Sequence, residues 1–238
     1  MSKMRRLVFD REHEQLRETA RQYLEREVAP HVAKWERERI VDRSAYLAAG
    51  KYGLIGFNMP EKFGGGGSDD FRFNAVILEE LGKFGSGAPA LNLQNDTVGP
   101  YLKFLANVEQ QHRWMPGFIA GEIIGAIAMS EPGAGSDLAG IRTSAVRDGD
   151  DWILTGTKMF ISSGINADLS SSWRAPLPTR AIEASRSSWS NVAWTDSVAD
   201  ANWTRWASTA KTLRSCISTM CVCQVPMSWA RRIGASIT

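Results

Sequence analysis

Hydrophobic residues recur at helical spacing through most of the first 120 residues. Asp10 is a good N-cap for a first helix of about 20 residues, because its side chain can accept hydrogen bonds from the first turn. Pro30 then interrupts the pattern, and Gly50 is expected to end a short helix that starts at Ser44. The apolar face of the first helix consists of Leu16, Ala20, Tyr23, Leu24 and Val28.

A glycine-rich stretch separates these helices from later ones. Residues 60–70 include four consecutive glycines, which favour a flexible connecting loop. Helical spacing returns over residues 71–81 and, more loosely, over 87–93, 97–105 and 109–120. The amino-terminal half of the chain is therefore predicted to be mostly helical.

Strand signals replace helical spacing in the next part of the chain. An apolar run covers residues 123–129, and the alternating segments 141–147 and 152–154 flank an Asp-Gly dipeptide at 148–149, which is a strong hairpin signal. Residues 158–162 are predicted to form another strand. Helices followed by strands predict an α+β chain with an all-α amino-terminal domain and then a β-domain.

Composition and charge exclude several classes of partner. The chain has 238 residues, is 43% hydrophobic and carries a net charge of +2 with both signs interspersed. This balance gives no electrostatic basis for binding nucleic acid or an anionic membrane. The basic cluster at residues 3–6 has no apolar run behind it, so it is neither a signal peptide nor a membrane anchor. We therefore expect a cytoplasmic protein with no membrane span.

The composition changes abruptly at residue 170. Twenty of the 21 glycines precede Ser170, whereas all three cysteines and six of the nine tryptophans follow it. Residues 170–238 also contain thirteen serines and only three acidic residues. Such a shift marks a boundary. Three explanations are possible for residues 170–238, here called the tail: an unusual tryptophan-rich extension, a cysteine-based metal site, or a segment translated in the wrong reading frame.

The cysteines and histidines do not form a recognisable metal-binding pattern. Cys216, Cys221 and Cys223 have Cys-x4-Cys-x-Cys spacing, which lacks the ligand pairs of a structural zinc site. The three histidines lie far from them in predicted helices, and they are His13, His31 and His112. We expect no metal site, and we interpret the histidines as surface or interhelix residues.

A glycine-rich loop at residues 130–137 has a composition suited to ligand contact. Its sequence, Ser-Glu-Pro-Gly-Ala-Gly-Ser-Asp, places two glycines between hydroxyl groups and ends in a carboxylate. Glycine lets the backbone approach a ligand closely, and consecutive amides can bind an anion. The loop is neither a dinucleotide fingerprint nor a Walker A loop. On chemistry alone, a structural turn and a site for a phosphate-bearing ligand both remain open.

Residues 128–140, Ala-Met-Ser-Glu-Pro-Gly-Ala-Gly-Ser-Asp-Leu-Ala-Gly, resemble the signature of acyl-CoA dehydrogenases at every position. A second match follows at the family's usual separation in residues 156–164, Gly-Thr-Lys-Met-Phe-Ile-Ser-Ser-Gly. Blocks at 52–65 and 79–82 occur in the expected order, and the resemblance is continuous over residues 9–169. The sequence around the second match favours the long-chain branch.

The resemblance implies that FAD lies along residues 127–136. Met129 and Ser130 would contact the edge of the flavin ring, and Ser136 would meet the pyrophosphate and border the thioester substrate. Phe160 stands where the family commonly has Trp and would pack against the isoalloxazine, while Ser162 stands at the usual Thr and would hydrogen-bond near flavin N5. The implied cofactor-binding residues are Ile127, Met129, Ser130, Gly133, Gly135, Ser136, Phe160, Ile161 and Ser162.

By the same resemblance, the reaction is FAD-dependent α,β-dehydrogenation of an acyl-CoA thioester to the trans-2-enoyl-CoA, as in fatty acid β-oxidation. A carboxylate abstracts the α-proton while the β-hydrogen leaves as hydride. Family members pass electrons to an electron-transferring flavoprotein and form homo-oligomers. The carboxylate usually comes from a carboxy-terminal helical domain, so this chain is expected to lack the base and to be inactive. The alternative is a poorly folded remnant that binds no flavin.

The reading frame of the tail can be examined in the protein itself, because Trp and Met each have one codon. When the last base of each codon is read with the first two of the next, Trp203-Thr204 must give Asp and Met220-Cys221 must give Val. With allowed choices elsewhere, residues 202–224 become Leu-Asp-Lys-Val-Gly-Leu-His-Ser-Gln-Asp-Thr-Ala-Glu-Leu-His-Phe-Asp-Asp-Val-Arg-Val-Pro. This amino-acid sequence, read in the shifted frame, resembles the family's next β-domain segment. We hypothesise that the frame slips near residue 169 or 170.

These observations predict three regions. Residues 1–121 form the helical amino-terminal domain, residues 122–169 begin a flavin-binding, barrel-like β-domain, and residues 170–238 are an out-of-frame tail without a defined fold. The carboxy-terminal helical bundle is expected to be absent.

Overall fold

The computed structural model describes residues 8–85, 87–148 and 151–173, and the backbone of three short strands further along the chain. The chain divides into two compact units between Ile123 and Ile124. The first unit is helical and the second is built from strands, which confirms the prediction of helices followed by a sheet-forming segment.

The first helical stretch continues past Pro30. Helix α1 covers Arg11–Tyr23 and passes into a π-helical turn at Leu24–Val28. Ala29–His31 then form a 3-10 turn, and helix α2 follows at Val32–Glu38. Proline cannot donate a backbone hydrogen bond, and the chain tightens to a 3-10 turn at this point without leaving helical geometry.

Gly50 does not end its helix, so that prediction is wrong. Helix α3 covers Arg43–Lys51 and includes Gly50. The physical reason is close packing, because a Cβ atom at Gly50 would lie 2.2 Å from the carbonyl oxygen of Ala120. Gly121 makes the reciprocal approach, since its Cβ would lie 2.0 Å from the carbonyl oxygen of Tyr46. Glycine at 50 therefore serves contact between two backbones and does not cap the helix.

The remaining helices follow the predicted order with one exception. The helix expected over residues 87–93 is wrong, because residues 87–90 are not helical. Gly87 has a left-handed φ of 89°, and Pro89 disfavours helical geometry in the residue before it. The observed elements are a 3-10 turn at Glu61–Phe63, helix α4 at Arg72–Phe84, a π-helical segment at Leu93–Val98, helix α5 at Gly99–Leu105 and helix α6 at Val108–Ile119.

A buried ionic network joins α1 to α4. Glu80 is 4% exposed and accepts hydrogen bonds from Arg17 at 2.9 Å, Arg21 at 2.7 Å and Lys83 at 2.6 Å. Arg17 also donates to Glu79 at 2.8 Å. A buried carboxylate is tolerated only when cations and donors compensate its lost hydration, and here three cations converge on one carboxylate.

The network sets the titration of Glu80. Burial acts to raise the pKa of this carboxyl, but hydrogen bonds from Arg21, Lys83 and Arg17 outweigh burial and lower the pKa to about 2. A carboxyl whose pKa is lower in the folded state than in the unfolded state stabilises the fold at neutral pH. That contribution is lost as the pH falls from about 4.5 towards about 2.

The second unit contains strands in three sheets. Strand β1 at Gly125–Ala128 pairs in parallel with β5 at Leu169–Trp173, and β5 pairs antiparallel with β6 at Val192–Asp196. Strand β2 at Ser144–Asp148 and β3 at Asp151–Thr155 form the predicted hairpin, with Asp148 opposite Asp151. The other strands are β4 at Ile161–Ser162, β7 at Met220–Cys221 and β8 at Arg232–Ile233.

The predicted lack of a defined fold in residues 170–238 falls mostly on residues outside the described ones. Strands β6, β7 and β8 are described there as backbone. Cys216 and Cys223 lie outside the described residues, as does most of the re-read segment. The prediction for the tail therefore stays a prediction.

Serines occupy buried positions of β5. Ser171 is fully buried and Ser172 is 4% exposed, and the hydroxyl of Ser171 has no hydrogen-bond partner among the described residues. Ser171 lies opposite Ile127 of β1, and Ser172 lies opposite Ala128. A buried hydroxyl without a partner costs roughly 1–3 kcal/mol, so serine at position 171 does not suit its environment.

Replacing Glu80 with Gln should lower the free energy of unfolding by roughly 3 kcal/mol at pH 7, because it removes the buried carboxylate that pairs with the buried guanidinium of Arg17. The variant should also lose less stability than the parent chain between about pH 4.5 and about pH 2, where Glu80 titrates. Urea titrations across this pH range measure both effects. Glu18→Gln is the control, since Glu18 is exposed and lies 3.9 Å from Arg21. Equal acid sensitivity in the Glu80 variant and the parent would contradict the assignment.

Candidate flavin-binding site

The glycine-rich loop begins where β1 ends. Met129 and Ser130 follow directly after Ala128, and both are half-buried. A tight turn then forms, because the amide of Glu131 donates to the carbonyl of Ala134 at 2.8 Å and the reverse bond measures 3.1 Å. Beyond this turn, the chain reaches the surface, and a short 3-10 turn at Leu138–Gly140 closes the segment.

The glycines of this loop face open space. A Cβ atom built at Gly133 or Gly135 would meet nothing within 4 Å, and both residues are exposed. Ser136 is exposed beside them. The backbone of this part of the loop is therefore accessible to a ligand, which suits contact between amides and a phosphate group.

The second motif places an aromatic ring at the surface in an unusual backbone conformation. Phe160 has a φ of 58° and is 49% exposed. Left-handed geometry in an aromatic residue costs about 1–3 kcal/mol and is maintained only when surrounding contacts impose it. Strand β4 begins only at the next residue, Ile161, so the strand predicted over 158–162 is wrong in its first three residues. The left-handed turn at Phe160 is the reason.

Hydrogen bonds join the two motifs. The amide of Met159 donates to the carbonyl of Ser130 at 2.9 Å, and Lys158 Nζ donates to the carbonyl of Met129 at 3.0 Å. Ile161 packs in one buried cluster with Ala126 and Ala128 of β1. Two segments thirty residues apart in sequence thus form one surface, with Phe160 beside the end of β1.

The structure brings together some of the predicted site residues and not others. Ile127, half-buried within β1, precedes the paired segments, and Ile161 is 5% exposed in the core. Gly133, Gly135 and Ser136 lie further along the exposed loop. The residues that the pairing between the motifs places near each other are Met129, Ser130, Phe160, Ile161 and Ser162.

Two charged residues that hold this surface together were not predicted from the sequence. Glu131 and Lys158 form an ion pair at 2.9 Å, with side chains only 5% and 7% exposed. Glu131 also accepts hydrogen bonds from the amide of Arg142 at 2.7 Å, from the amide of Thr143 at 3.0 Å and from the Thr143 hydroxyl. Both charged residues occur within the quoted motifs. Their opposite charges, one in each motif, could have suggested a pair, but not their burial.

Burial and pairing act in opposite directions on these two groups. Burial acts to raise the pKa of Glu131, but hydrogen bonds from Thr143, Arg142 and Lys158 outweigh it and lower the pKa to about 2. Burial lowers the pKa of Lys158, and Glu131 opposes that change. Glu131 is thus held ionised by four donors, which makes it a strong anchor for the surrounding backbone.

The surface fits a flat aromatic cofactor with a phosphate tail. Phe160 offers an exposed ring for stacking, and the half-buried residues Ser130 and Ser162 lie in the two segments that the hydrogen bonds join. Next to these groups, the loop from Gly133 to Ser136 leaves its backbone open. Among the described residues, no group of three or more His, Cys, Asp or Glu side chains could hold a metal ion.

Comparison with known families identifies both units of the chain. The family described as "Acyl-CoA dehydrogenase, N-terminal domain" matches residues 10–122, and "Acyl-CoA dehydrogenase, middle domain" matches residues 126–176. The chain belongs to the acyl-CoA dehydrogenase family. The two matches meet within a few residues of the boundary between the two structural units at Ile123 and Ile124.

Similar members of the acyl-CoA dehydrogenase family include both sequences and solved structures. The mitochondrial long-chain specific acyl-CoA dehydrogenase of Sus scrofa is 44% identical over 164 residues, which cover 69% of this chain and 38% of that protein. The acyl-CoA dehydrogenase of Geobacillus kaustophilus is 39% identical with a TM-score of 0.69, covering 79% of this chain and 48% of that one. The chain therefore spans less than half the length of these relatives.

A third acyl-CoA dehydrogenase carries a cofactor. The Bacillus anthracis enzyme, whose crystal structure is a complex with FAD, is 25% identical with a TM-score of 0.60, and the match covers 70% of this chain and 30% of that one. In this acyl-CoA dehydrogenase family chain, none of the helices within the described residues is long and apolar enough to cross a membrane.

Proposed function

We propose that this chain carries part of the FAD site of an enzyme that dehydrogenates acyl-CoA thioesters between Cα and Cβ. The observation that carries the proposal is the pairing of the two family motifs, in which Met159 donates to Ser130 and places Phe160 beside the end of β1. The FAD complex of the related Bacillus anthracis enzyme supports the choice of cofactor.

In this proposal, each residue has a role that its position permits. The exposed ring of Phe160 stacks on the isoalloxazine, Met129 and Ser130 line the ring edge, and the Ser162 hydroxyl donates a hydrogen bond to the ring. Ile127 and Ile161 support these groups from within the sheet region, since both lie in or beside the core. The open loop at Gly133, Gly135 and Ser136 binds the pyrophosphate, and Ser136 also borders the substrate. FAD, when bound, supplies the hydride acceptor for the reaction.

The remaining parts of the reaction are assigned by family membership. We propose an acyl-CoA substrate, an electron-transferring flavoprotein as electron acceptor, and a homo-oligomer as the working assembly. The long-chain specific relatives favour a long acyl chain. The base that removes the α-proton is proposed to come from a carboxy-terminal helical domain. The proposed cytoplasmic location stays a prediction, and the similar mammalian long-chain enzymes are mitochondrial.

We also propose that the reading frame shifts near Leu169, which would make residues 170–238 an unselected tail and leave the chain without turnover. A serine codon that begins with TC, when read with the preceding base, encodes Phe, Leu, Ile or Val. Ser172-Trp173 read in this way gives Leu, Met or Val whatever the serine codon. The buried serines of β5 are therefore what an apolar strand becomes after loss of one base.

The environment of β5 supports this explanation. Ser171 is fully buried opposite Ile127, and its hydroxyl lacks a partner among the described residues. The strand pairs in parallel with β1, and strands in parallel sheets are usually apolar on both faces. The second candidate function is a non-catalytic remnant that binds no flavin, and the mismatch between serine and burial in β5 is the observation that favours it.

The first prediction of the proposal concerns flavin binding by the chain itself. The purified chain should bind FAD saturably, detected by quenching of flavin fluorescence, and should show no acyl-CoA turnover. Phe160→Ala should raise the Kd by roughly fivefold, because aromatic stacking contributes about 1 kcal/mol. Leu138→Ala is the control, since Leu138 is a partly exposed apolar residue of the loop and has no proposed flavin contact. A colourless chain without saturable binding would establish the remnant.

The second prediction concerns the gene. Its nucleotide sequence from the codon of Asp168 onward, read after restoring one base, should continue without a stop codon. The restored frame should encode the amino-acid sequence given above for residues 202–224 in the shifted frame, including the positions where the codon table allows several residues. Stop codons in that frame, or third bases that give unrelated residues, would contradict the frameshift and show that residues 170–238 are encoded in the original frame.

The third prediction concerns the buried serine of β5. Ser171→Ala should raise the free energy of unfolding by roughly 1 kcal/mol, because it removes a buried hydroxyl without a partner and adds no volume. Ser144→Ala is the control, because Ser144 is an exposed serine at the start of β2. Urea titration of both variants measures the difference. Loss of stability in Ser171→Ala alone would mean that the hydroxyl suits its position.

A further inference from the structure

The ion pair of Glu131 and Lys158 is buried within the second unit. Its N–O distance is 2.9 Å, and neither side chain is more than 7% exposed. Replacing a buried ion pair by apolar residues of similar size is often neutral or stabilising, so stability alone does not explain why charges are placed there. The contacts around the pair indicate what it does.

Three hydrogen bonds or ion-pair contacts bracket Ser130. Lys158 Nζ binds the carbonyl oxygen of Met129 at 3.0 Å on one side, and it binds the carboxylate of Glu131 at 2.9 Å on the other. The amide of Met159, the next residue along, donates to the carbonyl of Ser130 at 2.9 Å. One lysine and the following amide therefore hold three consecutive residues of the loop.

These contacts determine where the backbone of Ser130 points. In a trans peptide, the carbonyl and the amide N–H point to opposite sides of the chain. Because the carbonyl of Met129 faces Lys158, the amide N–H of Ser130 is directed away from the lysine. On the other segment, Met159 is fixed against Ser130, and Phe160 follows it with its left-handed φ of 58°.

Glu131 extends the same arrangement to the far end of the loop. Its carboxylate accepts the amides of Arg142 and Thr143, at 2.7 and 3.0 Å, as well as the Thr143 hydroxyl. Thr143 in turn lies against Gly156, where a Cβ atom would approach the Thr143 hydroxyl to 2.1 Å. The carboxylate thus ties together the start of the loop, its end and the second motif.

We propose that Lys158 and Glu131 are positioning residues for the flavin-binding surface, and that they act by fixing the backbone of Ser130 and the left-handed turn at Phe160. The proposal rests on the proposed FAD site. Neither charged group is assigned a contact with the cofactor, because both side chains are buried and bind backbone groups and each other.

The test compares Lys158→Met, Glu131→Gln and the double variant with the parent chain. Each single variant leaves one buried group without its partner and should be less stable than the double variant, which buries no charge. If the pair positions the loop, the double variant should regain stability in urea titration but still bind FAD at least tenfold more weakly. Its Met159 amide should also exchange hydrogen at least tenfold faster, without FAD present.

Lys103→Met is the matched control. Lys103 makes the same two kinds of contact in the helical unit, with the carbonyl of Asn58 at 3.0 Å and with Asp69 at 2.6 Å. Its loss should change neither the Kd for FAD nor exchange at Met159.

The readouts separate the two proposals. A double variant with parental FAD affinity and parental protection at Met159 would overturn the positioning role and leave the FAD site intact. A parent chain that binds no FAD would overturn the proposed function, while exchange at Met159 would still decide whether the pair holds the backbone. Faster exchange in the double variant supports positioning, and unchanged exchange contradicts it.

Discussion

The carboxylate of Glu131 is the constraint on which the strand-rich unit depends. It lies in the loop at residues 130–137, which contains two glycines and no large apolar side chain that could fix the backbone by packing. Four donors from two separate segments of the sequence converge on it: Arg142 and the adjacent Thr143 supply three, and Lys158 supplies the fourth. Charge-assisted hydrogen bonds of this kind are directional, so they set positions that apolar contacts would leave variable.

The helical unit uses the same principle with different partners. Glu80 gathers Arg17, Arg21 and Lys83 between two helices, and its carboxyl is also held ionised. In both units, an acidic side chain is buried and its cost is offset by several cations or amides. The two carboxylates hold different kinds of structure: Glu80 joins two regular helices, whereas Glu131 holds the backbone of an irregular loop.

Periodicity in the sequence was sufficient to predict most elements of the fold. Helical spacing predicted α1, α4 and α6, and the Asp-Gly dipeptide predicted the hairpin of β2 and β3. One error was local, since Gly87 and Pro89 prevent helix over residues 87–90, and another occurred where a contact distant in sequence decides the outcome. Gly50 stays within its helix because of Ala120, a residue that no local pattern connects with it.

The candidate site was predicted in part, for the same reason. Motifs located the loop and Phe160, but the left-handed turn at Phe160 and the burial of Lys158 depend on pairing between segments. The buried serines of β5 differ from both cases, since no folding principle predicts Ser-Ser-Ser-Trp in a strand beside β1. The proposed frameshift explains why serine occupies buried positions of this strand, whereas physical chemistry shows only that serine does not suit them.

The conformation of Phe160 has a consequence for the evolution of this chain. A left-handed aromatic residue with half of its surface exposed to water lowers the stability of the folded protein, whether or not a ligand is present. Glycine or asparagine would adopt the same turn more easily, so a lineage released from cofactor binding gains by replacing the ring. The residue at position 160 in descendants of this gene would therefore record how long selection for the cofactor lasted after the rest of the protein changed.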